Sequence, residues 1–382
     1  MHITDDIKYI GVNDYKIDLF ESQFEVKEGM TYNSYVILDE KVAVMDTIDF
    51  NFKDEWLKNL EAALDGRLPD YLVVHHMESD HSANIDVFMK KYPNTTVVSS
   101  MKAFQMMKNF FNEDYSDRRL IVKEGDSLSL GQHELHFITA PMVHWPEVIF
   151  SYDEFAKALF SADAFGKFGA LKENDEWDEE ARRYYIGIVG KYGTPVQTVL
   201  KKVAKYDVQM ICPLHGPVLK ENLSHYLALY DTWSSYKPEK HGVVIAYTSV
   251  YGNTAKAATL VKEKLEANNL EVKIYDLSRS DIYKAVADAF KYDNLILATT
   301  TYNCDIFPSM NTFIHHLIAR DFKNRNLAFI ENGSWACMAT KVMQKLFSES
   351  KGINYYNNNV TITSALNETS IKQIDDLVAE IK

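Results

Sequence analysis

One stretch of the chain joins a short apolar run directly to a dense group of metal-capable side chains: Tyr71-Leu72-Val73-Val74-His75-His76-Met77-Glu78-Ser79-Asp80-His81. The apolar part has the composition of a buried strand. If the chain continues extended, His76, Glu78 and Asp80 lie on one side of the backbone and His75 points to the other. A loop at the strand end would then turn His81 into the same space. Imidazole and carboxylate groups suit iron, zinc and manganese, so the stretch predicts a metal site at a sheet edge.

Three later residues follow apolar or β-rich segments and are candidates to complete this site. A single histidine or aspartate in such a place is more often structural, but four ligand-capable side chains within one hexapeptide rarely arise from packing. The full candidate set is His76, Glu78, Asp80, His81, His144, Asp163 and His215. Four imidazoles and three carboxylates exceed the needs of one tetrahedral zinc and predict two metals that share a bridging carboxylate.

The composition excludes several classes of protein. Hydrophobic residues make up 46% and charged residues 25%, as in ordinary globular proteins, and the length of 382 residues predicts two domains. A net charge of −13 argues against nucleic acid and anionic membranes as partners. No signal peptide is evident, and no apolar run approaches the roughly 20 residues that span a bilayer. Three scattered cysteines, Cys212, Cys304 and Cys337, form no disulfide framework or CxxC site, so we expect a cytoplasmic protein.

A polar segment with Pro238 and Gly242 separates two halves of different pattern and predicts domains at residues 1–240 and 241–382. The first half has short strand patterns at residues 34–38, 41–46, 94–99, 120–122, 128–130, 134–139, 149–151 and 158–161. Helical patterns occur at residues 54–64, 101–111, 196–205 and 222–233. This mixture predicts an α+β sandwich of packed sheets with helices outside.

The second half has a regular alternation of strands and helices. Its strand patterns lie at residues 243–247, 272–275, 294–298, 326–329 and 359–362, and its helices include residues 254–267 and 371–381. Five strands that alternate with helices predict an α/β doubly wound parallel sheet.

Three loops of the second half are candidates for a phosphate and ring site. The first follows the first strand and opens a helix, where free backbone N–H groups and hydroxyls form a phosphate cradle: Thr248, Ser249, Val250, Tyr251, Gly252, Asn253 and Thr254. No lysine follows Gly252, which argues against a nucleoside triphosphate P-loop. The loops after the third and fourth strands add Thr301, Tyr302 and Asn303, and Asn332, Gly333, Ser334, Trp335 and Ala336.

Together these motifs resemble the flavodiiron proteins, or A-type flavoproteins, over essentially the whole chain. The metal motifs that carry the resemblance are His-x-Glu-x-Asp-His at 76–81, Pro-Met-Val-His-Trp-Pro at 141–146, Ser-Ala-Asp-Ala-Phe at 161–165 and Pro-Leu-His-Gly-Pro at 213–217. The hydroxyl-rich loop is similar to the phosphate loop of flavodoxins. Zinc hydrolases of the metallo-β-lactamase superfamily have histidine where this chain has Glu78, and a carboxylate there favours iron.

The resemblance implies an αββα metallo-β-lactamase-like domain followed by a flavodoxin-like domain. It implies that His76, Glu78 and His144 bind one iron and that Asp80, His81 and His215 bind the other, with Asp163 as the bridge. In the family the histidine that matches His81 is not always bound. The three loops would hold FMN, and Tyr302 and Trp335 would flank its isoalloxazine ring or anchor their loops by packing.

The same resemblance implies a function. The family reduces O2 to water or NO to N2O with electrons that pass through FMN, and it forms head-to-tail homodimers or dimers of dimers. No CxxC pair follows the last helical pattern, so we expect electrons from a separate small carrier such as rubredoxin. The ligand set does not distinguish O2 from NO, because outer residues and access decide that preference. Residues 20–32, including Glu21, Phe24 and Tyr32, are candidates for the pocket wall.

Two other interpretations stay open at this point. One is a zinc hydrolase of the metallo-β-lactamase superfamily, which Glu78 and the flavin loop disfavour. The other is an electron carrier whose first domain is only structural, which the complete ligand set disfavours.

Overall fold

The computed structural model describes residues 2–172 and 176–381. The chain divides into two compact units, Met1–Asp231 (unit 1) and Thr232–Lys382 (unit 2). The boundary inferred from the sequence, after residue 240, lies further along the chain, within the first strand of unit 2.

Unit 1 contains short strands and helices in mixed order. Its strands are β1 (Ile7–Tyr9), β2 (Val12–Asp14), β3 (Leu19–Phe20), β4 (Phe24–Glu25), β5 (Met30–Tyr32), β6 (Tyr35–Leu38), β7 (Val42–Met45), β8 (Tyr71–Val73), β9 (Thr96–Ser99), β10 (Arg119–Ile121), β11 (Ser127–Ser129), β12 (Glu134–Thr139), β13 (Ile149–Asp153), β14 (Ala158–Phe160) and β15 (Met210–Cys212). Its α-helices are α1 (Lys53–Leu64), α2 (Ser79–Ser82), α3 (Ile85–Lys91), α4 (Met101–Phe111), α5 (Asp178–Tyr184), α6 (Gly193–Val203) and α7 (Leu223–Ser234). Short 3-10 turns lie at Phe50–Phe52 and Gly190–Tyr192, and a π-helical turn lies at Tyr185–Val189.

Two sheets of unit 1 pack face to face. The first has the order β1-β6-β7-β8-β9-β10 and the second the order β11-β12-β13-β14-β15. Every second residue of a strand faces the core between the sheets, as Tyr35 and Ile37 do in β6 and Leu135 and Phe137 do in β12. Helix α1 packs against β6 and α6 against β12, so the predicted α+β sandwich is confirmed.

Parallel pairing places several strand ends at one edge of this sandwich. Strands β7, β8 and β9 run parallel in the first sheet, and β14 and β15 run parallel in the second. Because loops that follow parallel strands emerge at a common edge, the segments after these strands converge.

The expected extended conformation from His76 to Asp80 is wrong. Strand β8 ends at Val73, and α2 begins at Ser79. The Glu78 carbonyl accepts the N–H groups of His81 and Ser82, which closes a helical turn. Asp80 therefore reaches the metal-capable cluster from a helical turn and not by strand alternation.

Unit 2 is a parallel sheet with helices. Its strands are β16 (Lys240–Tyr247), β17 (Val272–Asp276), β18 (Tyr292–Tyr302), β19 (Asp305–Ile306), β20 (Asn326–Asn332), β21 (Asn354–Tyr355) and β22 (Val360–Ile362). Its helices are α8 (Asn253–Ala267), α9 (Ile282–Lys291), α10 (Pro308–Ala319), α11 (Ala339–Leu346) and α12 (Glu368–Glu380), with a 3-10 turn at Phe347–Glu349.

The strand order of unit 2 is β17-β16-β18-β20-β21, and β22 pairs with β20 next to β21. Pairing in this sheet is parallel, and the short β19 pairs antiparallel with the end of β18. This is the flavodoxin-type order with the strand reversal between β16 and β18. Helices α8 and α12 pack on one face through Val261, Leu265 and Leu377. The predicted doubly wound sheet is confirmed.

Within the described part of the chain, none of the helices combines the length and the apolar character that crossing a membrane requires.

Candidate functional site

All seven candidate metal ligands meet at one edge of the unit 1 sandwich. The loop and helical turn after β8 supply four of them, and the loops after β12, β14 and β15 supply one each. The structure arranges them in two groups, and within each group the ligand atoms lie within 4.8 Å of one another. The first group is His76, Glu78, His144 and Asp163, and the second group is Asp80, His81 and His215.

The first group surrounds two carboxylate oxygens. His144 Nε2 lies 3.1 Å from Glu78 Oε2 and 3.1 Å from Asp163 Oδ2. His76 Nε2 lies 3.3 Å and 3.5 Å from the same two oxygens. Such a convergence of nitrogen and oxygen lone pairs on one point is the arrangement of a metal-binding site.

The second group has the same character. His81 Nε2 lies 3.0 Å from His215 Nε2, and Asp80 Oδ2 lies 3.3 Å from both nitrogens. Asp163 Oδ1 lies 3.2 Å from His81 Nε2, whereas its Oδ2 faces the first group. Asp163 therefore presents one oxygen to each group, which is the geometry of a bridging carboxylate.

The charge and burial of the cluster fit a pair of cations. Asp80 and Asp163 are 9% and 1% exposed, and neither Oδ1 nor Oδ2 of Asp80 accepts a hydrogen bond from residues 2–172 or 176–381. Burying several carboxylates is costly unless opposite charge is present. Imidazole and carboxylate donors without sulfur are a ligand set that iron accepts.

Histidine and carboxylate groups shift one another's pKa values. Burial lowers the pKa of His144, but hydrogen bonds to Asp163 and Glu78 raise it more, to about 9. Burial raises the pKa of Asp163, but the charge of His76 and hydrogen bonds from His144 lower it well below its usual range. Cations that bind here would replace protons held between these groups.

Two partners that sequence reasoning missed orient the histidines. Glu147 is buried, and its Oε1 accepts from His76 Nδ1 at 2.8 Å and from the Met77 N–H at 2.9 Å. The Thr31 carbonyl accepts from His215 Nδ1 at 2.6 Å. Each bond occupies Nδ1, so that Nε2 is the ring nitrogen that faces the cluster. The position of Glu147 in the same loop as His144 was the one available signal.

His75 lies outside the metal-capable cluster, as its position in the sequence indicated. Its ring turns into the sandwich, where Nδ1 pairs with Asp46 and Nε2 meets Ser151.

Aromatic rings cover the cluster. Phe20, Tyr32 and Tyr184 pack around His215 with ring centroids 5.4 Å, 6.1 Å and 5.5 Å away, and Trp145 lies 5.2 Å from His76. The predicted contribution of residues 20–32 to the wall thus includes Tyr32.

Two polar groups approach the cluster from this wall. The Tyr184 hydroxyl is fully buried and has no hydrogen-bond partner among the described residues. Burial together with the charges of Asp163 and Glu78 raises its pKa well above the ordinary value. Glu21 interacts with Glu78, and its pKa is raised to about 7 by burial and by that charge. Tyr184 lies on α5, more than a hundred residues from Glu78, so the sequence offered no sign of it.

Unit 2 contains an open pocket of about 590 Å³ at the carboxyl ends of its strands. Thirteen of the fifteen candidate residues line it: Ser249, Val250, Tyr251, Asn253, Thr254, Thr301, Tyr302, Asn303, Asn332, Gly333, Ser334, Trp335 and Ala336. The lining also includes Thr300, Cys304, Met338 and Ser364, which were not candidates. The pocket lies where the strand order reverses, as ligand sites of such sheets do.

Two candidates do not line this pocket. Thr248 still pairs with the sheet through its N–H, and its buried hydroxyl lies 2.6 Å from that of Thr299. Gly252 precedes α8 with φ of 89°, a conformation that favours glycine, and shapes the loop without facing the pocket.

Strand β18 extends further than expected, so Thr301 and Tyr302 are strand residues. Tyr302 is 44% exposed and Trp335 is 93% exposed at the pocket rim. Both rings are therefore free to meet a planar ligand on this side.

Comparison with known proteins identifies the family. A model described as ODP family beta lactamase matches residues 30–216, and a flavodoxin domain model matches residues 244–356. A nitric oxide reductase of Moorella thermoacetica is 32% identical over 364 residues, which cover 91% of this chain and 90% of that protein. The fold matches the flavodiiron protein of Giardia intestinalis with a TM-score of 0.90 at 24% identity, over 99% of this chain and 96% of the other.

The chain belongs to the flavodiiron protein family. The rubredoxin oxygen:oxidoreductase of Desulfovibrio gigas has the same fold, with a TM-score of 0.93 at 23% identity over 100% of this chain and 97% of that one. The resemblance seen in the sequence motifs is thus confirmed, and it covers both units in order.

Proposed function

We propose that this flavodiiron protein reduces O2 to water, NO to N2O and water, or both, at a diiron centre in unit 1, with electrons that reach it through FMN bound in unit 2. The observation that carries the proposal is the pair of ligand groups that share Asp163, in a chain that also has a flavodoxin-type pocket. The relatives named as nitric oxide and oxygen reductases support it.

The geometry supports a definite assignment of ligands. His76, Glu78, His144 and Oδ2 of Asp163 would hold one iron, and Asp80, His81, His215 and Oδ1 of Asp163 would hold the other. Two adjacent irons supply a place for a small diatomic molecule and electrons for its reduction.

The remaining residues of the site prepare it for that chemistry. Glu147 and the Thr31 carbonyl fix the rings of His76 and His215 so that Nε2 faces inward. The rings of Phe20, Tyr32 and Trp145 exclude bulk water from the cluster. The Tyr184 hydroxyl, which no group within residues 2–172 and 176–381 accepts, would be available to donate a hydrogen bond to a diatomic substrate.

The pocket of unit 2 fits FMN. The N-terminus of α8, with Ser249, Asn253 and Thr254 beside it, suits a phosphate, and Tyr302 and Trp335 are placed to flank the flavin ring. FMN accepts electrons from a carrier and releases them one at a time.

The partner, the assembly and the location follow from the same proposal. A small electron carrier of the rubredoxin type would reduce the flavin, as the name of the Desulfovibrio gigas protein says of that enzyme. We propose a head-to-tail homodimer, or a dimer of dimers, in the cytoplasm, and an active monomer on gel filtration would refute the dimer. Glu78 and the flavin pocket disfavour a zinc hydrolase.

The proposal is tested with Asp163→Ala, with Asp153→Ala as the matched control. Asp153 is also a buried aspartate of unit 1 that pairs with a histidine, at 2.6 Å from His133 Nδ1. Asp163→Ala should keep FMN, lose bound iron and lose consumption of O2 and NO, whereas Asp153→Ala should keep all three. Undiminished turnover in Asp163→Ala would refute the proposal.

A further inference from the structure

A buried polar chain joins the two sheets of unit 1 beside the iron-ligand cluster. Asp46 follows β7, His75 follows β8 and Ser151 lies in β13 of the opposite sheet. Asp46 Oδ2 lies 2.5 Å from His75 Nδ1, and His75 Nε2 lies 2.7 Å from Ser151 Oγ. Each of the three residues is at most 1% exposed.

Asp46 uses both carboxylate oxygens in this set of contacts. Its Oδ2 lies against His75 Nδ1, and the other ring nitrogen of His75 lies against the Ser151 hydroxyl. Asp46 Oδ1 accepts the backbone N–H of His75 at 2.7 Å and that of His76 at 3.4 Å. Asp46 thus binds the very peptide that leads into a proposed iron ligand.

A nucleophilic role for this chain is excluded by burial. Asp, His and Ser stand in the order of a hydrolase triad. However, Ser151 is fully buried, and the Phe160 ring stacks on His75 at 6.2 Å with an interplanar angle of 19°. A substrate has no access to the Ser151 hydroxyl, so these three residues hold neighbouring segments in place and do not react.

The contacts show what this geometry controls. His75 makes two contacts with β13. Its ring lies against the Ser151 hydroxyl, and its carbonyl accepts the Ile149 N–H at 3.2 Å. The next residue, His76, is a ligand from the first sheet, and the loop before β13 carries His144 from the second sheet. Both belong to the same ligand group. The polar chain therefore links the two loops whose separation sets the spacing between His76 and His144.

We propose that Asp46, His75 and Ser151 are positioning residues that set the spacing between His76 and His144 and thereby tune one iron selectively. The second iron draws its histidines from loops that these three side chains do not tie together. This inference rests on the diiron site of the proposed function.

Two matched pairs of variants test the inference on the full-length, iron-loaded protein. Ser151→Ala is paired with Thr95→Val, because the Thr95 hydroxyl is also fully buried and donates to the Pro69 carbonyl at 2.8 Å. Thr95 lies just before β9 and Pro69 just before β8. His75→Asn is paired with His133→Asn, a second buried histidine bound to an aspartate, at the start of β12. The readouts are Mössbauer spectra of 57Fe-loaded protein, iron release to a chelator and thermal unfolding.

The expected result is an asymmetry between the two irons. In Ser151→Ala and His75→Asn, one iron signal should shift, and half of the iron should leave on the order of 10-fold faster, as expected for loss of an outer partner of a ligand. The other signal should stay at its wild-type position. Thr95→Val and His133→Asn should leave both irons unchanged, even where they lower the unfolding temperature.

Three results would overturn the inference. Unchanged signals in Ser151→Ala and His75→Asn would do so, as would equal shifts of both irons, or the same shift in the control variants. A wild-type protein that holds no pair of irons would overturn the proposed function and this inference with it, so the two failures are distinguishable.

Discussion

His81 and His215 bring their Nε2 atoms to 3.0 Å from each other. His215 Nδ1 donates to the Thr31 carbonyl at 2.6 Å, so Nε2 is the ring nitrogen that faces the cluster. Asp80 Oδ2, 3.3 Å from both nitrogens, adds negative charge to the same point. One metal cation can bind all three of these atoms at once, whereas one proton can be shared by only two of them.

Removal of iron should therefore destabilise unit 1. Binding at about 1,000 times the dissociation constant stabilises a fold by about 4 kcal/mol. For a unit of this size that corresponds to a fall in unfolding temperature of about 10 °C when the metal is chelated. Calorimetry of iron-loaded and chelated protein measures it, and a transition that does not move would contradict the assignment of these ligands.

Glu147→Gln should weaken iron binding without unfolding the protein. Glutamine keeps an oxygen for His76 Nδ1 and for the Met77 N–H but removes the charge that strengthens the imidazole as a ligand. We expect iron affinity to fall about 10-fold, in a competition with a chelator, and FMN affinity to stay constant. An iron affinity equal to that of the wild type would show that Glu147 only fills space.

Tyr184→Phe should separate activity from stability. The hydroxyl is buried and makes no hydrogen bond within the described part of the chain, so its removal should leave the free energy of unfolding unchanged or slightly higher. If the hydroxyl donates to a bound diatomic molecule, turnover should fall about 10-fold, the effect of one hydrogen bond of about 1.4 kcal/mol.

Tyr230→Phe is the control for this variant. Tyr230 is equally buried, but its hydroxyl accepts the Phe165 N–H. The Tyr230→Phe variant should lose stability and keep turnover. A Tyr184→Phe variant that also loses stability and keeps turnover would rule out the proposed hydrogen bond.

Gly252→Ala should weaken FMN binding. A Cβ at Gly252 would meet no atom within 4 Å, so the cost comes from the left-handed backbone alone, roughly 1–2 kcal/mol. Relief of that strain would turn the phosphate loop away from α8, and we expect an FMN dissociation constant about 10-fold higher. Gly125→Ala carries the same kind of cost, with φ of 82° and no atom within 4 Å, and should leave FMN affinity unchanged. Equal FMN affinity in Gly252→Ala and the wild type would contradict this role.

The pattern of the sequence predicts the sheets well, because the alternating burial in β12, the continuous apolar run in β16 and the apolar spacing of α8 are local properties. It also brings out the seven metal-capable residues, because each follows a strand and the motifs are specific. It fails at Asp80, where the carbonyl of Glu78 closes a helical turn that alternation does not reveal. Thr248 directly follows β16, and its N–H bonds to the Ala298 carbonyl, a contact that the local pattern does not reveal.

The outer partners of the site could not be predicted in this way. Thr31 and His215 are separated by 184 residues, and His75 and Ser151 by 76 residues. These contacts join segments that are far apart in the sequence, and local periodicity carries no information about which distant segments meet. Tyr184 belongs to the same class.

The most direct test of the account is gas consumption by protein that carries two irons and one FMN, with rubredoxin and its reductase as donor, followed with an O2 electrode and an NO electrode under matched conditions. The account predicts many turnovers per diiron site with one or both gases, and the ratio of the rates gives the substrate preference. Photochemical reduction of the flavin removes any dependence on the donor. If protein that carries two irons and one FMN consumes neither gas after photochemical reduction, it does not reduce O2 or NO as proposed.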